Sequence, residues 1–317
     1  MSDEVVLVMA DVHANEAALA AVLADAYRRY PRRRLGVWFL GDLFGRGPAP
    51  AGAYHLLLGE RPEALLLGNH DAGLIGRYRT LQVGDFADGL FNANDWLVLG
   101  HHRRELAQLG LLALAGDEPA GGEVVDYVRG LPVVQAVRPA IYLVHGGLER
   151  TFRPPDSAEA LEALFDQLIW DYVREAKHAR ETLRAMEWLW EQWPESPAVV
   201  AGQGRPARPK LVLVGHYHLR IFYDGAADHW ESPVELDRCY PLDAGAEGAV
   251  LVSLGSVGFP RESQDRDASY AVLHLRDGQA TGVTFHKAAY DRQSMREQMA
   301  RKGYPAETIG RLRLRGE

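Results

Sequence analysis

Residues 5–13 read Val5-Val6-Leu7-Val8-Met9-Ala10-Asp11-Val12-His13, an apolar, β-branched run that stops abruptly at an aspartate and a histidine. An apolar run without polar alternation predicts a strand buried on both faces. The arrangement recurs. Residues 35–40 run into Gly41-Asp42, residues 64–67 into Gly68-Asn69-His70-Asp71, residues 141–144 into His145-Gly146-Gly147, and residues 211–214 into Gly215-His216-Tyr217-His218. Residues 15–30 and about 51–59 carry helical spacing between the first strands. Strand–helix alternation predicts βαβ units and a parallel sheet in the first part of the chain. It also places the polar motifs at carboxyl ends of strands, where α/β folds form their crevice.

Further along, residues 78–128 mix helical stretches with Gly- and Asp-rich turns, and their apolar periodicity is weak. Residues 157–193 read as helix almost throughout, with Leu161, Leu164, Phe165, Leu168, Ile169 and Tyr172 on one face. The aromatic load of Trp188, Trp190 and Trp193 predicts packing rather than exposure. Residues 194–209 are a Pro-, Gly- and Ala-rich loop. Strands are then expected at 220–223, 250–254, 270–275 and 281–285, with helices at 288–302 and 305–312. The basic cluster at residues 28–34 falls at a helix end, where cations complement the helix dipole.

At 317 residues the chain can bury a substantial core. A net charge of -8 argues against a general nucleic-acid-binding surface, which needs a cationic footprint. A nucleotide substrate remains compatible, because bound metal neutralises phosphate locally. The single cysteine, Cys239, leaves no intrachain disulfide partner and fits a cytoplasmic location. The acidic start Met1-Ser2-Asp3-Glu4 is unlike a secretory signal, and no apolar run has the length of a membrane span, so no membrane partner is expected.

Asp, His and Asn together suit Mn²⁺, Fe and Zn²⁺. Asp11 and His13 flank one residue, so an extended chain points both side chains the same way. Each motif alone is weak: Asp42 and Asn69 are common turn formers, and a lone histidine is commonly a satisfied core residue. Together, in this order on successive strand ends, they point to a two-metal hydrolytic site and phosphoester chemistry.

The set D-x-H, G-D, G-N-H-D/E, a later H and G-H-x-H resembles the calcineurin-like metallophosphoesterase superfamily, in its bacterial phosphodiesterase or phosphatase types. Every motif is present, from Asp11 to His218. The resemblance implies an α/β fold, a four-layer α-β-β-α sandwich with two mixed β-sheets plus a helical insert acting as a cap. It implies one domain over residues 1–317, with helical inserts at about 78–128 and 156–208. It implies that Asp11, His13 and His218 hold one divalent metal ion, that Asn69, His145 and His216 hold a second, and that Asp42 bridges the two. A metal-bridging hydroxide would attack phosphorus, with His70 as the non-ligand catalytic residue and Asn69 also beside the substrate. Asp71 is expected to tie down the loop or cap the following helix.

Gly41-Asp42-Leu43-Phe44-Gly45-Arg46-Gly47 resembles the G-D-x-x-D-R-G segment of phosphoprotein phosphatases and dinucleoside-tetraphosphatases. There the arginine grips phosphate oxygens, so Arg46 is a candidate substrate-binding residue. Gly45 departs from that pattern, replacing the aspartate that supports the catalytic histidine. His218, as the second histidine of G-H-x-H, instead resembles phosphodiesterase-type branches. Gly255-Ser256-Val257-Gly258, before Pro260-Arg261, resembles a segment of small bacterial members, although on physical grounds it reads as a glycine turn after a buried strand. The expected function is phosphodiesterase or broad phosphatase, with a protein phosphatase or dinucleoside-polyphosphate hydrolase as the alternative. A non-catalytic metal-binding scaffold is the rival of another class, and such a protein is expected to lose ligands. The native metal, the substrate and the oligomeric state are open at this level.

Overall fold

The structure is a computed structural model that describes residues 3–31, 35–77, 91–193, 199–201, 205–243, 245, 247–262 and 266–312. In chain order the first elements are β1 (Asp3–Met9), α1 (Glu16–Arg29), β2 (Leu35–Phe39), α2 (Pro50–Gly59), β3 (Ala64–Leu65) and α3 (Asn69–Leu74). Then come α4 (Ala93–Gln108), β4 (Ala113–Ala115), β5 (Glu118–Gly121), α5 (Glu123–Arg129), β6 (Val134–Arg138), β7 (Ile141–Val144), α6 (Ala158–Trp170) and α7 (Ala176–Glu191). The remainder is β8 (Val199–Ala201), β9 (Leu211–Val214), β10 (Arg220–Asp224), β11 (His229–Glu231), β12 (Cys239–Pro241), β13 (Val250–Leu254), β14 (Ala268–Arg276), β15 (Gln279–Ala288), α8 (Arg292–Arg301) and α9 (Ala306–Gly310).

Two large mixed sheets result. One has the order β12-β15-β14-β1-β2-β3 and the other β11-β10-β13-β9-β7-β6-β8. In β1 the residues alternate between two cores: Val6 and Val8 join Trp38, Leu143, Leu213, Val252 and Leu273 between the sheets. Val5, Leu7 and Met9 join the other cluster, which holds Leu19 and Val22 of α1 and Leu168 and Met186 of α6 and α7. Successive strand side chains point to opposite faces, so both faces of β1 are covered and its run is uniformly apolar. The β1–β2 and β2–β3 pairings are parallel, as the alternation predicts, while β14 adds antiparallel on the other side of β1.

Helix α1 starts where Asn15 accepts a hydrogen bond from the Ala18 N–H and ends on Arg28 and Arg29. Those two arginines also pair with Asp25 one turn earlier. The rest of that basic cluster, residues 32–34, lies outside the described residues.

The long helix expected over 157–193 is two helices. Asp171 leaves helical geometry at φ -79° and ψ 145°, and its carbonyl accepts from the Gly147 N–H at 2.9 Å. Gly146 donates to Leu168 at 2.7 Å, and a Cβ there would lie 2.9 Å from the Leu168 and Asp171 carbonyl oxygens. The break therefore exists because the loop after β7 docks on it. Residues 93–129 hold helices α4 and α5 but also the β4–β5 hairpin, which the weak periodicity did not reveal. Residues 78–90 of the first expected insert, and 194–198 and 202–204 of the second, lie outside the described residues. Among the described residues, no helix is long and apolar enough to cross a membrane.

Candidate metal centre

The carboxyl ends of β1, β2, β7 and β9, with the start of α3, deliver Asp11, Asp42, His145, His216 and Asn69 to one place. Backbone bonds lock the loops together: Asp11 N–H to Gly41 O at 3.0 Å, His13 N–H to Asp42 O at 2.9 Å, and Gly215 N–H to His145 O at 2.8 Å. The His216 N–H donates to Asp11 Oδ2 at 3.0 Å and joins one sheet to the other. Asp11, His13, Asp42, His216 and His218 all have φ between 51° and 63°. Non-glycine residues in that region carry backbone strain that persists only where surrounding structure enforces it, a common mark of a functional site.

The side chains form three groups whose ligand atoms lie within 4.8 Å of one another: Asp11, His13 and His218; Asp42, His145 and His216; and His13, Asp42 and His70. Asp42 Oδ2 lies 3.7 Å from His13 Nε2 and 3.5 Å from His145 Nε2, between the first two groups. Asn69 Oδ1 is 3.3 Å from His145 Nε2. The seven expected ligands are thus brought together, with His70 beside them.

Tautomers follow from the partners on the far side of each ring. His13 Nδ1 faces Phe44 O at 3.1 Å, His145 Nδ1 faces Leu40 O at 2.6 Å, and His218 Nδ1 faces Phe259 O at 2.6 Å. A carbonyl only accepts, so each Nδ1 carries the proton and each Nε2 aims a lone pair inward. His216 is reversed: its Nε2 donates to Trp170 O at 2.8 Å, which leaves Nδ1 as the acceptor. Asp11 Oδ1 and Asp42 Oδ2 are buried and accept no hydrogen bond from any described residue. Converging acceptors without donors suit divalent cations, so the residues fit the two-metal expectation.

Burial dominates the electrostatics. It pushes the Asp11 carboxyl up to about 6 and drives His13, His216 and His218 well below the usual histidine range. His145 is the exception: burial pulls it down, but the Asp42 carboxylate, with smaller help from Asp11, raises it to about 9. The Asp42 carboxylate thus favours a proton on the His145 ring, and a cation shared by Asp42 and His145 would take the place of that proton.

Supporting residues surround this set. Asp71 accepts from the N–H groups of Asp42 (2.8 Å), Phe44 (3.0 Å) and Gly68 (3.2 Å), so it ties the loops as expected. Ser256 Oγ donates to Asp11 O at 2.9 Å, while Val257 and Gly258 N–H groups bind Ala10 O and Asp11 O. The turn after β13 is thus a brace for the Asp11 loop. His102, on α4, is another brace that the sequence did not single out. Its Nδ1 accepts from the Gly45 N–H at 3.3 Å, and its Nε2 donates to Gly47 O at 2.7 Å. Burial holds its pKa down to about 4, so it stays neutral and can do both.

His70 N–H donates to Asp42 Oδ1 at 2.8 Å, and its Nδ1 is buried without a partner among the described residues. A Cβ at Gly45 (φ +88°) would lie 2.3 Å from that Nδ1. The histidine ring fills the space that a side chain at position 45 would need, which accounts for the glycine. Burial lowers the His70 pKa well below its usual value, opposed by Asp42.

The centre opens into a cavity of about 380 Å³. Phe91, Trp170, Tyr172 and Phe259 give it aromatic walls, and Arg46, Arg261, Arg266 and Arg311 give it a cationic lining. Phe91, Asn92 and Asp95 come from the first expected insert, and Trp170 and Tyr172 from the second. Tyr172 stacks on the His216 ring with centroids 4.4 Å apart.

A family model described as calcineurin-like phosphoesterase matches residues 5–252. Curated proteins from Burkholderia mallei (strain SAVP1) and Burkholderia pseudomallei (strain K96243), each named bis(5'-nucleosyl)-tetraphosphatase, symmetrical, are 31% identical over 155 residues. That stretch is 47% of this chain and 43% of the relative, so the match spans less than half of the curated relatives' length. A metallophosphoesterase structure from Sphaerobacter thermophilus is 25% identical with TM-score 0.65, covering 97% of this chain and 98% of that one. A hypothetical protein from Pyrococcus horikoshii OT3, 17% identical over 99% of both chains with TM-score 0.58, shares the fold.

Proposed function

The chain belongs to the calcineurin-like phosphoesterase family, and from that premise we propose that it hydrolyses phosphoesters with two divalent cations. The observation that carries this reading is the pair of ligand groups meeting at Asp42, with Asp11 Oδ1 and Asp42 Oδ2 buried there without a hydrogen-bond partner among the described residues. Asp11, His13 and His218 would hold one cation, Asn69, His145 and His216 the other, with Asp42 between them. When bound, two such ions polarise the phosphoryl group and make a water nucleophilic near neutral pH. Mn²⁺, Fe and Zn²⁺ all suit this donor set.

The protein's own groups would do the rest. Arg46 would neutralise phosphate oxygens, and Asn69 would stand beside them. With Nδ1 buried against Gly45, His70 Nε2 is the nitrogen that would face the leaving-group oxygen, as general acid or as charge stabiliser. The aromatic walls from residues 91–95 and 170–172 support the reading of the two inserts as a cap on a single domain spanning residues 1–317. Deleting the second insert should then change substrate preference while metal content stays the same. The lone, exposed Cys239 supports a cytoplasmic location, testable by cell fractionation.

The substrate reading is a phosphodiesterase or broad phosphatase. The name carried by the Burkholderia relatives supports dinucleoside-polyphosphate hydrolysis as a second reading. Purified protein supplied with Mn²⁺, Fe²⁺ or Zn²⁺ should hydrolyse at least one member of a panel of aryl phosphates, dinucleoside polyphosphates and phosphopeptides. Asp42→Ala and His216→Ala should abolish that activity; retention in both refutes the assignment.

A further inference from the structure

We propose that Arg261 is the second arm of an anion clamp whose first arm is Arg46, and that the pair favours substrates bringing two or more negative charges over singly charged diesters. This rests on reading the centre as a phosphoesterase site. Arg261 closes the segment Gly255-Ser256-Val257-Gly258-Phe259-Pro260-Arg261, whose backbone is pinned on both sides. Val257 and Gly258 bind the β1 loop, and the Arg261 N–H donates to His218 O at 3.2 Å. The next residue, Glu262, is buried between Arg220 Nε at 2.7 Å and Lys287 Nζ at 2.6 Å.

The guanidinium is held by aromatic rings rather than by a carboxylate. It lies 5.0 Å from the Tyr172 ring centroid and 5.8 Å from that of Tyr217, and Nη2 donates to Tyr172 Oη at 3.3 Å. Tyr172 in turn stacks on His216, so the stack fixes the arginine beside the centre. Arg311, on the same cavity, is paired with Glu307 and Asp95. Among the described residues, no carboxylate forms an ion pair with Arg46 or Arg261, and Arg46 Nε is buried without a partner. Asp95 and the buried Asp11 act on these arginines only through longer-range fields, so two like charges line one cavity without a contacting carboxylate, an arrangement that an entering anion relieves. Burial and then the Arg261 charge lower the pKa of Arg46, consistent with fields that overlap in the cleft.

The preference follows from counting oxygens. A diester has two non-bridging oxygens that share one charge, and two cations can engage both. A monoester or an oligophosphate brings a further anionic oxygen, which a planar guanidinium can grip.

The test measures kcat/KM of the manganese-loaded full chain on para-nitrophenyl phosphate and on bis(para-nitrophenyl) phosphate, with calorimetry of inorganic phosphate binding. Arg261→Ala should lose roughly 10- to 100-fold on the monoester and in phosphate affinity, the usual worth of a charge-assisted hydrogen bond. Its loss on the diester should stay under roughly threefold, because the diester lacks the extra anionic oxygen. Arg261→Lys, which keeps the charge but not the fork, should recover part of the loss and stands in if the alanine variant misfolds. Equal losses on both esters, or unchanged phosphate affinity, overturn the clamp. If wild type hydrolyses neither ester yet binds phosphate through Arg261, the clamp stands and the phosphoesterase reading falls. If it hydrolyses the monoester and the variants keep full phosphate affinity, the reverse holds.

Discussion

His13 Nε2 and His218 Nε2 stand 3.1 Å apart, although each ring has its Nδ1 turned to a backbone carbonyl. Two lone pairs therefore face each other, and Asp11 Oδ1 adds an acceptor 3.1 Å from His218. Such a cluster is self-repelling in isolation and is relieved by a cation that all three atoms share.

Metal binding should consequently stabilise the fold. At a free metal concentration about 100 times Kd, one site adds about 2.7 kcal/mol. Calorimetric melting with Mn²⁺ and with excess chelator should show a higher Tm in metal. His218→Ala should lower the bound metal count and reduce this difference. Identical melting with and without metal would falsify the cation argument.

Asp71 offers a test of the loop ties. Its two oxygens take three backbone N–H donors, and an asparagine has one oxygen and one NH₂ group. In Asp71→Asn the NH₂ must face at least one donor. We expect a loss of about 1–3 kcal/mol in chemical denaturation, because a buried donor goes unmet. Weaker metal binding by titration should accompany it, since both Asp42 and the Asn69 turn are anchored there. Wild-type stability and metal affinity together would sink the argument.

Acid sensitivity should be traceable to Asp25. Burial raises its pKa, but the Tyr270 hydroxyl at 2.6 Å, Arg29 and Arg28 outweigh it and hold the carboxyl below its ordinary value. Because the folded pKa is the lower one, this stabilisation is complete above the unfolded value of about 3.9 and is lost as pH falls through the folded value. Asp25→Asn should cost roughly 1.5–3 kcal/mol at pH 7, the usual worth of bonds to a charged group. The deficit should narrow as pH falls below about 4. A deficit independent of pH would assign the loss to packing.

Much of this architecture is legible from the chain because burial writes directly into the sequence. β1, β2, β7 and β9 are covered on both faces, so each reads as an apolar run, and each run ends at its polar motif. What escaped was set by contacts distant in sequence. The break at Asp171 depends on Gly146 and Gly147 docking there, and nothing local to 157–193 announces it. β11 and β12 are short edge strands whose pairing comes from neighbours rather than from their own alternation. Arg261 was visible at the end of a Gly-rich turn, but its place in the cleft comes from Tyr172 and Tyr217. His102 offered no signal at all, as one of two adjacent histidines in a helix of mixed character.

His102 supplies the last prediction. The loop bearing Arg46 is held at Gly45 and Gly47 by this ring, at Gly47 O by Tyr304 at 3.0 Å, and at Pro48 O by Lys302 Nζ at 2.6 Å. Arg46 itself has φ +56°, an unfavourable conformation that the flanking bonds maintain. Without the ring, the loop can relax and carry the guanidinium away from the position proposed for the phosphate, and a shift near 1 Å can cost on the order of 10²-fold. His102→Ala should lower kcat/KM on an aryl phosphate by about 10- to 100-fold while both metals stay bound, because none of the expected ligands is touched. His102→Asn, which can still accept from the Gly45 N–H, should recover part of the activity. Metal loss in step with activity would make His102 a general folding residue, whereas full activity in His102→Ala would show that Tyr304 and Lys302 hold the loop unaided.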